Sequence, residues 1–372
     1  MPGGTVAMTA TPAQLTLRSL RVRGVHAPLK LPLQTSGGTV RVAPLALIDL
    51  LTDEGVTGHA YLFCYTPLAL KPVLQLLENL SDFLKGDAVA PLAIDDKLQR
   101  TFRLLGATGL TAMAMAGIDM AAWDAQARAA GLPLARLLGG TLRRVPAYNS
   151  RGLGIIGAER AAAEAVQLLV PGFNAVKVRL GYPDARTDVE VVRAVRRAIG
   201  DRVQLMSDYN QSLSIAEALR RCDALRGEGL AWIEEPTRAD DHEGHARIRA
   251  KANVPIQIGE NWWGPHDMAK SLAAGACDLG MPDAMKIGGV TGWLRAAALA
   301  EAHGLPLSSH LFPEISAHLL AVSPTVHWLE YVDWAEPVLK TPLRIENGEA
   351  VIADAPGSGI EWDEEAIPRL LA

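Results

Sequence analysis

Three short runs decide how this chain folds: VQLMSD at 203–208, LAWIEE at 230–235 and VPIQIGE at 254–260. Each carries a carboxylate at its end, Asp208, Glu234 and Glu260, and the steps between them are 26 residues both times. A helix-like stretch follows each run. A step of that size is one strand plus one helix, so the acids stand side by side at one end of neighbouring parallel strands. Three converging carboxylates repel one another, and something positive must sit among them. A hard divalent cation with oxygen ligands answers that need, Mg²⁺ above all.

Outward from these runs the same alternation continues. Apolar runs at 145–149, 173–180, 203–208, 230–235, 254–260, 278–283, 305–310 and 326–330 enclose seven helix-like segments, 184–199 and 289–303 among them. This predicts an α/β fold, a (β/α)7β TIM-like barrel over residues 141–334. A doubly wound open sheet is the rival, but no GxGxxG opens the first βα turn. Upstream the pattern differs. LTLRSLRVRGV (15–25), VAPLALIDLLT (42–52) and VTGHAYLF (56–63) read as strands, and helical periodicity follows over Pro67–Leu84, Pro91–Leu105 and Thr108–Ala130. Residues 15–140 are therefore expected to form an α+β domain, preceded by a flexible leader at 1–14. The segment 335–372 carries a hairpin signal, Glu346-Asn347-Gly348; it cannot extend the barrel and is expected to return to that N-terminal domain.

The bulk numbers exclude several partners. A net charge of −5, with Lys and Arg scattered, leaves no footprint for nucleic acid. The leader lacks the basic and apolar regions of a signal peptide, and no apolar run reaches the roughly 18–20 residues of a membrane span. Cys64, Cys222 and Cys277 are far apart in apolar contexts and form no CxxC. They read as small core residues in a reducing compartment, and the protein is expected to be cytoplasmic.

Catalytic groups in such barrels come from the C-terminal strand ends. Reading those ends in order yields Lys177 and Arg179, two apart and so on one face, then Asp208, Glu234, Glu260, Asp283, His310 and Glu330. A single strand-end Asp is more often a helix cap, and a lone His more often structural. Seven consecutive strands that each end on an ionisable group are hard to assign to capping. Asp283 can hold one nitrogen of His310 and raise the basicity of the other. Glu330 becomes a neutral acid if its surroundings are apolar enough. The set fits removal of a proton next to a carboxylate, with cation and lysine neutralising an enediolate. Lys286 reads as a turn residue outside this chemistry. Glu235, turned away from Glu234 by strand alternation, reads as an internal hydrogen-bond or salt-bridge partner.

Six longer strings carry a family resemblance: SDYNQS (207–212), WIEEP (232–236), GENW (259–262), MPDAMKIGGVTGW (281–293), SSHLFPEISAHL (308–319) and HWLE (327–330). In these the chain resembles the enolase superfamily, mandelate racemase subgroup, of the muconate lactonizing enzyme family. The resemblance implies Mg²⁺ on Asp208, Glu234 and Glu260, a His310–Asp283 base, Glu330 as electrophilic acid, Asn210 near the metal and Ser150 near the bound carboxylate. It also implies that residues 15–140 are a capping domain over a (β/α)7β barrel, a closing segment at 29–40, with Leu33, Gly37, Val40 and Tyr65 nearest a small carboxylate substrate, and often an octamer.

One position departs. The racemase pattern on the second strand is Lys-x-Lys, whereas this chain reads VKVRL, with Arg179 in place of the second base. A lysine becomes a base near neutral pH if its pKa falls about 3 from roughly 10.4; an arginine must fall about 5 to 6 from roughly 12.5–13.8. Arg179 is therefore expected to pair its fork of donors with a substrate carboxylate or hydroxyl. Three functions follow. The first is a 2-hydroxyacid racemase, on resemblance. The second is an acid-sugar dehydratase with His310 as single base, and the third a catalytically silent metal-binding scaffold. Leu33 and Val40 suit an apolar substituent, while Lys30 and Gln34 leave room for a polar one.

Overall fold

The computed structural model describes residues 14–170 and 172–372. The leader expected at 1–14 lies outside the described residues but for Gln14. The first unit is an antiparallel sheet of β1 (Leu17–Thr35), β2 (Gly38–Thr52) and β3 (Thr57–Phe63), in that order. On it pack α1 (Pro67–Leu84), α2 (Pro91–Thr101) and α3 (Gly109–Ala129), and the short α4 (Leu134–Leu137) follows. Thr66 sets the start of α1: its hydroxyl accepts from the Leu68 N–H, and Pro67 occupies the first turn, where no N–H is needed. α2 stops short of the expected Leu105 because Leu104 and Leu105 find no core and stand exposed. α3 is buried nearly all round, with the sheet on one side and the second unit on the other.

The closing segment at 29–40 is not a loop. β1 runs on to Thr35, turns, and returns as β2, so that Leu33 faces Val40 at the far end of a long hairpin. A bulge between Pro28 and Leu33 bends it, where Pro28 and Pro32 give the ladder no N–H.

In the second unit β4 (Val145–Asn149), β5 (Ala175–Arg179), β6 (Gln204–Asp208), β7 (Leu230–Glu234), β8 (Ile256–Ile258) and β9 (Leu279–Gly280) lie parallel in sequence order. Between and after them run α5 (Ala158–Leu169), α6 (Ala185–Ile199), α7 (Ile215–Ala224), α8 (His242–Arg249), α9 (Pro265–Ala273) and α10 (Gly289–His303). The seventh position is made of three isolated bridges: Leu307 joins Gly280 and Val326, and His310 joins Asp283. After α11 (Pro313–Val322), β10 (Leu329–Tyr331) pairs with β4 and closes the ring. The expected (β/α)7β barrel and its α+β cap are present. Among the described residues no helix is long and apolar enough to cross a membrane.

One expectation about the last segment needs correction. Asn347 (φ 52°) and Gly348 (φ 78°) do form the two-residue turn, between β11 (Arg344–Glu346) and β12 (Glu349–Val351). But β12 pairs antiparallel with Val145 and Pro146 of β4, extending the barrel sheet there. The neighbours of β4 in the ring engage only its residues from Ala147 onward, so its first two residues would otherwise leave an open edge. Beyond it, Gly357 O accepts from Leu134 N, Trp362 Nε1 donates to Asp49 at 2.6 Å, and Leu370 O accepts from His26 N.

The two units are joined through buried polar groups. Asp119 of α3 accepts from both the backbone N–H (3.0 Å) and the hydroxyl of Thr291 in the first turn of α10. Tyr61 Oη donates to Glu314 of α11 at 2.7 Å. Asp119→Ala should lower stability by about 1–3 kcal/mol, since it orphans buried donors of Thr291. Urea unfolding monitored by fluorescence checks this as a lower midpoint at unchanged slope.

Candidate active site

Register brings the strand-end groups into one row. Arg179 lies level with Asp208, and Asp208 with Glu234, across β5, β6 and β7. Glu260 stands beyond the end of β8, turned by Gly259 at φ 134°. A Cβ there would meet the Trp262 ring at 2.7 Å and Met281 N at 2.9 Å, so only glycine allows the turn. The three acids are buried, and one oxygen from each lies within 4.8 Å of the others. Asn210 donates to Asp208 Oδ2 at 2.9 Å and leaves its own Oδ1 buried without a partner. Three acid oxygens with an unused amide oxygen beside them fit a hard divalent cation.

Lys177 answers part of this negative charge. It is 1% exposed, and its Nζ lies 2.5 Å from Glu234, 2.9 Å from Glu330 and 3.5 Å from Asp208. Burial opposes its charge, but Glu234 and Glu330 outweigh that and hold its pKa well above the usual lysine range. Burial also pushes Glu234 up to about 8, with Asp208, Glu260 and Glu330 adding to the rise against the pull of Lys177. One lysine does not balance this cluster.

His310 Nδ1 lies 2.7 Å from Asp283 Oδ2, and Asp283 is itself fixed by the Met285 and Lys286 N–H groups at 2.7 and 3.0 Å. The ring's Nε2 is thereby aimed between Glu260 (3.5 Å) and Glu330 (3.8 Å). Burial lowers the His310 pKa, but Glu260, Glu330 and Asp283 raise it to about 9. Glu330 does not behave as the sequence reading expects. Burial does raise its pKa, yet Lys177, His310 and Arg179 hold the carboxyl well below its usual range. It accepts from Ser150 Oγ at 2.7 Å and from the Leu311 N–H at 2.9 Å, as a carboxylate does. The neutral-acid expectation is corrected: opposite charges outweigh burial here.

Arg179 is likewise not the free fork expected of it. Its guanidinium donates to Ser150 O (2.8 Å), Gly152 O (3.2 Å) and Ser150 Oγ (2.7 Å). Only Nε is buried without a hydrogen-bond partner, 3.9 Å from Asp208. Ser150 thus ties Arg179 to Glu330. The hairpin carrying Leu33, Gly37 and Val40 rests on this same side of the ring. Gln34 O accepts from Ile155 N at 2.8 Å, and a Cβ on Gly154 would lie 2.5 Å from Gln34 O. Leu33 is buried, Val40 half-buried and Gly37 exposed at the tip. Lys30 is turned to Glu336 instead of the row of strand ends.

Lys286 and Glu235 come together through Asn261, which sequence reasoning missed. Lys286 Nζ donates to Asn261 Oδ1 at 2.6 Å, and Asn261 Nδ2 lies 2.8 and 2.9 Å from the two Glu235 oxygens. The Lys286 ammonium also sits 4.4 Å from the Tyr65 ring, so Tyr65 meets the barrel here. Glu235 has φ 36°, which ends the alternation used to orient it. Tyr65, Asn210, Gln211, Leu311 and Phe312 also hold positive φ, and such backbone strain concentrates at functional sites. The Leu311 N–H was missed as well; nothing in a sequence marks a backbone donor.

Residues 17–139 match the family model described as mandelate racemase / muconate lactonizing enzyme, N-terminal domain, and residues 160–366 match enolase C-terminal domain-like. An L-talarate/galactarate dehydratase of Salmonella typhimurium is 34% identical over 264 residues, 70% of this chain and 66% of that protein. A D-galactarolactone cycloisomerase of Agrobacterium fabrum is 32% identical, over 86% of this chain and 89% of its own length. The crystal structure of an enolase from Bradyrhizobium, complexed with magnesium and mandelic acid, aligns with a TM-score of 0.94 at 43% identity. That alignment covers 97% of this chain and 100% of the other.

Proposed function

This chain belongs to the mandelate racemase/muconate lactonizing enzyme family of the enolase superfamily, and from that we propose a Mg²⁺-dependent enzyme that removes the α-proton of a 2-hydroxycarboxylate through one base, His310. We further propose that the reaction ends in loss of the β-hydroxyl, as in an acid-sugar dehydratase. One observation carries this choice: the group in the second base's place, Arg179, spends its terminal nitrogens on Ser150 and Gly152. The dehydratase and cycloisomerase relatives support it.

Mg²⁺ held by Asp208, Glu234 and Glu260 would withdraw charge from the substrate carboxylate and so acidify its α-proton. Lys177, kept charged by Glu234 and Glu330, adds a second positive charge to the same wall of the site. Asp283 holds the Nδ1 proton of His310, so the lone pair of Nε2 takes the α-proton. The imidazolium then returns that proton to the departing β-hydroxyl. Glu330 donates to the substrate only when protonated, and a substrate carboxylate set beside it pushes it that way. A silent scaffold is a poor fit to a His–Asp pair this well fixed.

A second reading, racemisation of an apolar 2-hydroxyacid, has its own support. Leu33 and Val40 face each other in the closing hairpin, and the Bradyrhizobium structure holds mandelic acid. Proton NMR in D₂O separates the two. Incubated with paired enantiomers, the wild type should exchange the α-proton of only one, and acid sugars should give a 2-keto-3-deoxy product. Arg179→Lys should add exchange of the other enantiomer. Exchange of both enantiomers by the wild type would sink the one-base reading.

A further inference from the structure

We propose that Trp232 and Gln257, backed by Ser308 and His327, are positioning residues that hold Glu234 in register for the cation; this rests on the acid triad being a divalent-metal site. Glu234 is divided between two tasks. Its Oε1 faces Lys177 at 2.5 Å, whereas Oε2 accepts from Trp232 Nε1 at 3.1 Å and from Gln257 Nε2 at 3.3 Å. Trp232, Gln257 and Glu234 are all 0% exposed, so no solvent competes for Oε2. Trp232 shares the Glu234 face of β7, two residues back, and Gln257 lies level with Glu234 on β8.

The direction of every proton in this cluster follows from one acceptor. As a ligand to the cation Glu234 is a carboxylate and only accepts, so Gln257 must turn its NH₂ toward it, with Met281 Sδ at 3.0 Å taking the other N–H. Gln257 Oε1 must then accept, and Ser308 Oγ stands 3.4 Å away to donate. With its single proton used, Ser308 accepts from the Trp328 N–H and from His327 Nδ1, both at 3.3 Å. Burial pushes the His327 pKa down to about 4, so it is neutral at ordinary pH and this relay asks for its Nδ1–H tautomer. Two donors on Oε2 fix the carboxylate's rotation and leave Oε1 to the site.

Outer-shell partners of this kind are worth about 10–100-fold in metal affinity. The test is titration calorimetry with Mg²⁺, and Mn²⁺ binding by electron paramagnetic resonance, on the wild type, Gln257→Met, Trp232→Phe, Ser308→Ala and Ser308→Thr. Gln257→Met and Trp232→Phe should each weaken binding roughly tenfold or more. Ser308→Ala should weaken it less, and Ser308→Thr, which keeps the hydroxyl, should restore it. Unchanged Kd values beside a lowered Tm would overturn the inference and leave these residues as barrel packing. A wild type that binds neither ion sinks the metal reading itself, and this inference with it.

Discussion

His310→Asn should lower kcat by about 10²–10⁴-fold while leaving Mg²⁺ binding nearly unchanged. The asparagine removes the proton acceptor but keeps a side chain able to bond Asp283, which otherwise accepts from His310 at 2.7 Å. Stopped-flow or NMR measurement of α-proton exchange reads the effect directly. A variant that keeps more than a tenth of wild-type exchange would show that another group is the base. The pH dependence has a definite sign. His310 must be neutral to act, and Glu260 and Glu330 help raise its pKa to about 9. Activity therefore rises with pH along its acidic limb. Cation binding offsets the charge of Glu260, so that limb should move to lower pH as Mg²⁺ is raised from limiting to saturating. A limb that moves the other way contradicts the assignment.

Glu260→Gln should weaken Mg²⁺ binding beyond the roughly 10–100-fold of an outer-shell change, and activity should fall with it. The shape of the side chain is kept; one negative charge of three is lost. The metal-free protein should nonetheless be no less stable, because relief of the repulsion among three buried acids offsets the lost contact between Glu260 and His310 Nε2 at 3.5 Å. Opposite responses of metal Kd and metal-free Tm are the mark of a site built for an ion. Calorimetric titration and thermal unfolding in chelator measure the two. A parallel fall in both would make Glu260 a structural acid.

Much of the fold was legible because its cause is local. The 26-residue steps between Asp208, Glu234 and Glu260 come from the length of a strand and a helix, and the turn at Asn347-Gly348 from backbone preference. Other features depended on partners far away in the chain. The closing segment became a hairpin because Leu33 found Val40, and β12 found the open end of β4. Sequence pattern marked Gln257 as a polar residue inside VPIQIGE but could not name its partner. Its place opposite Glu234 depends on the register between β7 and β8.

The sequence by itself determined the barrel, its cap and the row of strand-end groups, since strand order and period place those side chains whatever surrounds them. Only the tertiary structure decided what two of them can do. Glu330 is held as a carboxylate by Lys177 and Arg179 from β5 and by His310 from the seventh position of the ring. Arg179 is occupied by the carbonyls of Ser150 and Gly152, acceptors that every residue carries and no side-chain pattern reveals. Charge state and hydrogen-bond vacancy belong to the neighbourhood of a residue, and that neighbourhood exists only once the chain has closed on itself.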